Sequence, residues 1–523
     1  MTPREAKRMV HGGAEVAFLD VREHGQFGEG HPLFCVSCPY SRLETRVQGL
    51  VPSTRVPVLL LDDGDGIAER AARRLQALGY ADLRIVAGGA PAWEAAGFAL
   101  YKGVNVPSKL LGELAEHVWQ PLTVTATELA AWQSEGRAFR LFDTRPAAEY
   151  RKMSIPGARW LPNGELAHRL DAVAPGEETL VLNCAGRTRG LIGAVGLHVA
   201  GVSHPVYALE NGTQGWALAG LTLDHGRIPE PLPVLDAPAV DASRRRARRL
   251  AEMHDIPWID AEALAGFAAD AGRTLYLLDV RTDEEFDAGH WPGAVHAPGV
   301  QLVQATDQWV AIRHARLALF DDTGLRGTLA AFWLRQLGYE PYVVPYEAAS
   351  RAPFPGIAVT APRGPDAHIG EIGVLAAYAA MQAGKALLLD LRSSQEHRRE
   401  RPVGARWAIR PRLEAALDGW NGPTYLVAED AVTAAIAAID LRELGVADVR
   451  LVAGGLDAWR RSGLPVGSGA KPADGDAIDY LWFVHDRHDG NLDAARRYLA
   501  WEQGLIAQLD AEEKAEFDLV TPA

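Results

Sequence analysis

Cysteine is scarce in this chain. Three thiols, Cys35, Cys38 and Cys184, serve 523 residues. That is too few for a disulfide framework, and the expected setting is a reducing compartment, the cytoplasm. Long apolar runs are missing as well. No stretch approaches the roughly 18 consecutive apolar residues that a membrane span needs. The N-terminus, "MTPREAKRMVHGGAEVAFLDVRE", has neither a long apolar segment nor a small-residue cleavage site, which argues against a signal peptide. Positive charge is outweighed: 53 Lys and Arg against 67 Asp and Glu leave a formal net charge of −14. Neither nucleic acid nor an anionic membrane is therefore expected as the main partner, and any anion site has to be built locally. Apolar material is plentiful, at 48% of residues, and the length suits three or four domains.

A pattern recurs four times. A short apolar run ends in Asp-x-Arg in "VAFLDVREHGQF" (Asp20, Arg22), "FRLFDTRPAAEY" (Asp143, Arg145), "LYLLDVRTDEEF" (Asp279, Arg281) and "ALLLDLRSSQEH" (Asp390, Arg392). The Asp positions step by 123, 136 and 111 residues, a domain-sized period rather than a solenoid repeat. A small-residue turn follows each: "HPLFCVSCP", "SIPGARWLP", "HWPGAVHAP" and "RPVGARWAI". A second apolar run comes next: "VPVLLLDDGDG", "TLVLNCAGRTRG", "LALFDDTGLRG" and "TYLVAEDAV". A helical pattern then closes in "LQALGY", "LHVAGV", "LRQLGY" and "LRELGV". Three copies end in a Gly-rich turn and Trp ("IVAGGAPAW", "ALENGTQGW", "LVAGGLDAW"), whereas the third has "VVPYEAAS".

Strands alternating with helical stretches predict α/β domains with parallel sheets covered on both faces, and the runs "LLLD" and "LVLN" suit strands buried on both sides. The pattern "IAERAARRLQALG" predicts a helix from Ile67, stopped at Gly79. Ligands of such sheets bind beyond the carboxyl ends of the strands, which is where "NCAGRTRG" falls.

Aligned on their helices, the four copies place Cys184 opposite Asp62, Asp321 and Ala428. A free thiol with a pKa of about 8.5 is only about 3% thiolate at pH 7. A helix N-terminus, a curl of backbone N–H groups, and the charges of Arg187 and Arg189 all favour the anion. The expectation is a depressed Cys184 pKa and an activated cysteine in an anion cradle, with Gly186 and Gly190 permitting the close turns. The competing reading is a small buried hydrophobe, which has no need of two arginines.

In this order and repetition, Asp-x-Arg, the Pro-Gly-Ala turn, the Cys loop and the Gly-Gly…Trp ending resemble the rhodanese domain over roughly residues 5–465. The resemblance implies a sulfurtransferase of four tandem rhodanese-like domains, each a mainly parallel sheet flanked by helices, with a C-terminal helical tail. It implies that Cys184 carries a sulfane sulfur as a persulfide. The amides of Ala185, Gly186, Arg187, Thr188 and Arg189 then hold it, and Arg187 and Arg189 bind a small-molecule donor such as thiosulfate. The sulfur passes to cyanide, a thiol, or alternatively a protein acceptor, in a ping-pong cycle that needs no cofactor or metal. Related phosphatases and arsenate reductases carry Cys-x5-Arg. Here the spacing Cys184-x4-Arg189 is one residue shorter, Gly190 stands at the longer spacing, and Asn183 replaces their preceding His.

The expected organisation is 1–101, a repeat with Asp62 in place of cysteine; 102–122, a linker helix; 123–228, the catalytic repeat; 229–254, a linker containing the basic run "SRRRARRLAEMHD"; 255–356, with Asp321; 357–468, with Ala428; and 469–523, a tail with a helix over about 491–517. Asp62 and Asp321 are expected to fill their own cradles, leaving three inactive copies, with neighbours pairing as one with two and three with four. Asp143 and Arg145 recur in the inactive copies and are read as a buried structural ion pair, with donor binding by Arg145 as the alternative. Trp216 is read as packing, and Asn105, Ser108 or Lys109 as reaching the pocket's surroundings. Cys35-x-x-Cys38 is read as packing, against a redox pair or metal ligands. The competing function is a non-catalytic persulfide-binding or scaffold protein that recruits sulfur-metabolism partners.

Overall fold

The expected strands form because each apolar run carries β-branched or leucine side chains on both faces, and each is covered by helices on both sides. The computed structural model describes residues 1–345, 368–469 and 476–522. In the second repeat five parallel strands lie in the order Leu122–Val124, Val206–Leu209, Leu180–Asn183, Arg140–Asp143, Arg159–Trp160. The fourth repeat has the same order: Gly370–Ile372, Val449–Val452, Thr424–Val427, Leu387–Asp390, Arg406–Trp407. The first and third repeats have four such parallel strands each, built around Val16–Asp20 with Val58–Leu61 and Leu275–Asp279 with Arg316–Asp321.

The Asp-x-Arg motif has one structure in all four copies. The Asp ends the strand fully buried. The Arg guanidinium grips it at 2.6, 2.7, 2.5 and 2.5 Å in chain order and donates to the carbonyl eight residues on, that of Gly30, Met153, Gly289 or Glu400. The Trp of the final turn is equally regular. Trp93, Trp216 and Trp459 are buried, and each donates its indole N–H to the carbonyl six residues later. Packing explains this tryptophan in all three copies.

Two compact units are present: Met1–Ala6, Ala17–Val104 and Thr360–Phe483 in one, Lys7–Val16, Asn105–Val359 and Val484–Ala523 in the other. The first repeat therefore shares a unit with the fourth, and the second with the third, which corrects the expected pairing of neighbours. Buried ion pairs fasten each union. In the first unit Arg410 lies between Glu44 and Asp440 at 2.5 and 2.9 Å. In the second, Arg326 of the third repeat holds Glu165 of the second at 2.9 Å.

The helix predicted from Ile67 runs Ile67–Ala77, with Gly79 at φ 94° just beyond it. The linker helix is Val106–Trp119 and the basic run lies in Ala237–Met253. The tail is not one helix. Leu492–Gln503, capped by Asn491, stops at Gly504; the short turn Ile506–Gln508 follows, and Asp510 caps a new start at Ala511–Ala515. Residues 346–350 of "VVPYEAAS" and the 356/357 boundary lie outside the described residues. Among those described, no helix is long and apolar enough to cross a membrane.

Candidate active site

Strand Leu180–Asn183 delivers Cys184 to the carboxyl edge of the sheet, and helix Thr188–Val199 starts four residues later. The turn after strand Val206–Leu209 orients the loop between them. Thr213 N donates to the Cys184 carbonyl at 2.8 Å, and Gln214 N and Nε2 donate to that of Ala185 at 3.2 and 3.0 Å. The N–H groups of Gly186 and Gly190 act on the Cys184 thiol in favour of its anion, and a side-chain carbon built on Gly190 would stand 3.9 Å from its sulfur. Gly212 makes the approach possible. It sits at φ 51°, and a Cβ there would stand 2.1 Å from the Cys184 carbonyl oxygen. Gly212→Ala is expected to cost about 1–2 kcal/mol for the left-handed backbone alone, and more as the loop is pushed aside. A lowered denaturant midpoint together with altered Cys184 reactivity checks this.

The other copies reveal what the cradle holds. In the first, the Asp62 carboxylate accepts from the amides of Gly64 and Ala68, two and six residues on, at 2.8 and 3.0 Å. These are the counterparts of Gly186 and Gly190. In the third, Asp321 accepts from Arg326 N and Gly327 N, at 2.8 and 3.1 Å. A carboxylate stands where the second copy has sulfur, so the amide curl is an anion site. In the fourth copy Ala428 leaves that position without a polar side chain, and Asp430 caps helix Ala431–Glu443 instead.

The electrostatics correct one expectation. Cys184 is 2% exposed. Burial pushes its thiol up from the ordinary value, outweighing Arg189 and the two amides, while Glu502 pushes the same way as burial. Both loop arginines are engaged. Arg187 donates to Glu113 at 2.8 Å and to Glu116. Arg189 makes a bidentate pair with Glu149, 2.8 Å at each contact. The Arg189–Glu149 pair has a counterpart in the third copy, where Arg326 meets Glu285 at 2.6 Å. There Glu285 also completes a capping box with Thr282. In the second copy the cap is Pro146, which has no N–H, and Arg189 is the side-chain partner seen on Glu149. Burial works against ionisation of Glu149, yet Arg189 holds its carboxyl down at about 2.

Thr188 Oγ1 donates to Glu502 Oε1 at 2.7 Å. Ser108 Oγ donates to the Gln304 carbonyl at 2.5 Å, Asn105 begins the linker helix in a left-handed conformation, and Lys109 Nζ lies 5.5 Å from the Tyr498 ring. Arg145 is fastened to Asp143 and the Met153 carbonyl. The groups that sequence reasoning missed are Glu113, Glu116, Glu149, Tyr498 and Glu502. The three-residue spacing of Glu113 and Glu116 on one helix was a visible signal for the first two; nothing in the tail's pattern marks the last two. Cys35 and Cys38 are buried, and burial pushes both thiols up, Cys38 to about 12, as suits packing.

The rhodanese-like domain model matches residues 2–96, 125–219 and 261–348, more than half of the chain. This chain belongs to the rhodanese-like family. A crystal structure of thiosulfate sulfurtransferase from Pseudomonas aeruginosa is 35% identical, covers 100% of this chain and 99% of that one, and superposes with a TM-score of 0.90. The HTH-type transcriptional regulator Rv0324 of Mycobacterium tuberculosis (strain ATCC 25618 / H37Rv) is 34% identical over 103 residues, 20% of this chain and 45% of that protein, so the match spans under half of that relative. The chain is thus a repeated rhodanese of mixed α/β domains with a helical tail, and its fold is that of rhodanese-type sulfurtransferases. The fourth repeat lies outside the matched segments but keeps the second repeat's strand order.

Proposed function

We propose that the protein is a sulfurtransferase in which Cys184 carries a sulfane sulfur as a persulfide. The observation that carries this reading is the shared cradle. The amide six residues on, which binds the carboxylate in both the first and the third copies, acts in the second on the sulfur of Cys184. The Cys184 thiolate attacks the outer sulfur of a donor such as thiosulfate. The donor's S–S bond breaks, and sulfite leaves with the electron pair. A thiol or cyanide then attacks the outer persulfide sulfur, and Cys184 leaves as thiolate. In this reading the amides of Ala185 to Arg189 steady the anionic sulfur. Arg187 and Arg189 bind the donor, Asp143 supports the strand end, and Arg145 is the alternative donor-binding residue.

The domains are those bounded at 1–101, 123–228, 255–356 and 357–468, with linkers 102–122 and 229–254 and tail 469–523. Only the second is catalytic, because Asp62, Asp321 and Ala428 cannot carry sulfur. The partners are a small-molecule donor and a thiophilic acceptor, with a protein acceptor as the alternative. The three unpaired thiols suit a reducing compartment such as the cytoplasm.

The test is to incubate the full chain with thiosulfate, a glutathione persulfide and mercaptopyruvate, and to locate by mass spectrometry the gain of one sulfur atom on Cys184. With the thiol pushed up, labelling is expected to quicken as pH rises, because the thiolate fraction grows. Labelling by none of the donors sinks the catalytic reading. The burial of Cys184 favours the second reading, a persulfide-binding or scaffold protein. Stable labelling without turnover to cyanide or thiols would select it.

A further inference from the structure

The tail walls the Cys184 loop of the second repeat. The tail helix Leu492–Gln503 lies in the same compact unit as the second repeat, and its inward face carries Tyr498 and Glu502. Glu502 is 1% exposed. One of its carboxylate oxygens accepts from Thr188 at 2.7 Å. The other, Oε2, is buried and has no hydrogen-bond partner among the described residues. That oxygen faces the cysteine loop: a side-chain carbon built on Gly186 would stand 3.1 Å from it and 3.1 Å from Tyr498 Cε1. Gly186 also supplies an amide that favours the Cys184 thiolate. A buried carboxylate oxygen without a partner is costly, and a ligand that brings a hydrogen-bond donor removes the cost.

On that wall two cations, Lys109 and Arg487, lie over the Tyr498 ring at 5.5 and 4.1 Å, while the cations of the cysteine loop itself are held by other carboxylates. Arg187 is engaged by Glu113 and Glu116 and Arg189 by Glu149, so the two cations closest to Cys184 in sequence are already matched, and Glu502 adds a further negative charge. Lys109, 5.5 Å from the Tyr498 ring and 6.0 Å from that of Trp501, sits on the aromatic side of the tail helix. Small dianions are repelled by an unpaired carboxylate at short range, whereas a neutral S–H or N–H group is bound by it.

We propose that Glu502 is a specificity-determining residue of the Cys184 pocket, admitting neutral thiol-borne persulfides that donate a hydrogen bond to Oε2 and disfavouring small dianionic donors. This deepens the sulfurtransferase reading and rests on it for the word donor, but the charge filter is testable without it. Cys184 in the full chain is alkylated with iodoacetamide, which is neutral, and with iodoacetate, which is an anion of similar size. Glu502→Gln is expected to raise the iodoacetate-to-iodoacetamide rate ratio about tenfold, with Glu502→Asp retaining the parent ratio. Equal acceleration of both reagents would mean that the tail merely shields the pocket, and an unchanged ratio, or no alkylation of any of the three proteins, would equally overturn the proposal. On the parent chain alone, a neutral thiol persulfide is expected to label Cys184 faster than thiosulfate at equal concentration. Thiosulfate labelling tenfold faster would overturn the filter even if no variant folds. A shifted alkylation ratio with no sulfur labelling from any donor leaves the filter standing and removes the sulfur-transfer reading instead.

Discussion

Cys184→Ser is expected to reduce sulfur transfer at least about a thousandfold while leaving the fold intact. Serine is close to cysteine in size, and its hydroxyl oxygen would accept from the N–H groups of Gly186 and Gly190 that now favour the thiolate. The cradle would therefore be filled and satisfied, and unfolding midpoints of the two proteins should agree closely. What is lost is chemical. A serine oxygen forms no persulfide, and the carboxylates of Asp62 and Asp321, already bound by their own cradle amides, offer no alternative sulfur carrier. The measurement is cyanide-dependent turnover with the donor that labels Cys184, alongside a thermal melt of both proteins. Full turnover by the serine variant would mean that the second repeat is not the catalytic one.

The second large effect is on stability. Arg326 is fully buried, with contacts to Asp321 at 3.0 Å, Asp322 at 2.7 Å, Glu165 at 2.9 Å and Glu285 at 2.6 Å. Arg326→Met would keep most of the volume but remove the cation from among four carboxylates, three of them contributed by the third repeat's own chain and one by the second. Breaking a buried pair from one side costs about 3–5 kcal/mol, here because Asp321 and Glu165 stay desolvated, with Arg169 left to oppose Glu165. Arg244→Ala serves as the control: its pair with Asp241 is 52% and 61% exposed at 3.5 Å, and exposed pairs are worth about 0–1 kcal/mol. Chemical denaturation of the two variants should separate them clearly. A similar small loss for both would show that the Arg326 cluster rearranges rather than standing as a rigid fastening.

The four Asp-x-Arg fastenings, the parallel strands and the place of the cysteine loop were legible from sequence because each depends on residues close together in the chain. A strand buried on both faces reads as an apolar run. The Arg two residues after each strand-ending Asp folds back on it, and the amides that meet Asp62 lie only two and six residues further on. Repetition strengthened the reading, since "NCAGRTRG" could be compared with three versions of itself. The same local reasoning misjudged the Cys184 thiol. It counted the charges written into the loop, Arg187 and Arg189, and could not see the carboxylates that meet them.

Those carboxylates come from 40 to 74 residues upstream, and Glu502 from 314 residues downstream of the Thr188 that it holds. A pairing over such a separation leaves no periodic trace in the chain. Pairing of the second repeat with the third was hidden for the same reason, as the contact between Arg326 and Glu165 spans 161 residues. By itself the sequence determined the repeated α/β domain, the one copy with a cysteine at the strand-to-helix turn, and the amide-lined turn around it, all consequences of backbone geometry over a few residues. Only the tertiary structure decided which charges surround that sulfur, how deeply it is buried and which helix closes over it, because desolvation and Coulomb interactions depend on distance in space rather than along the chain.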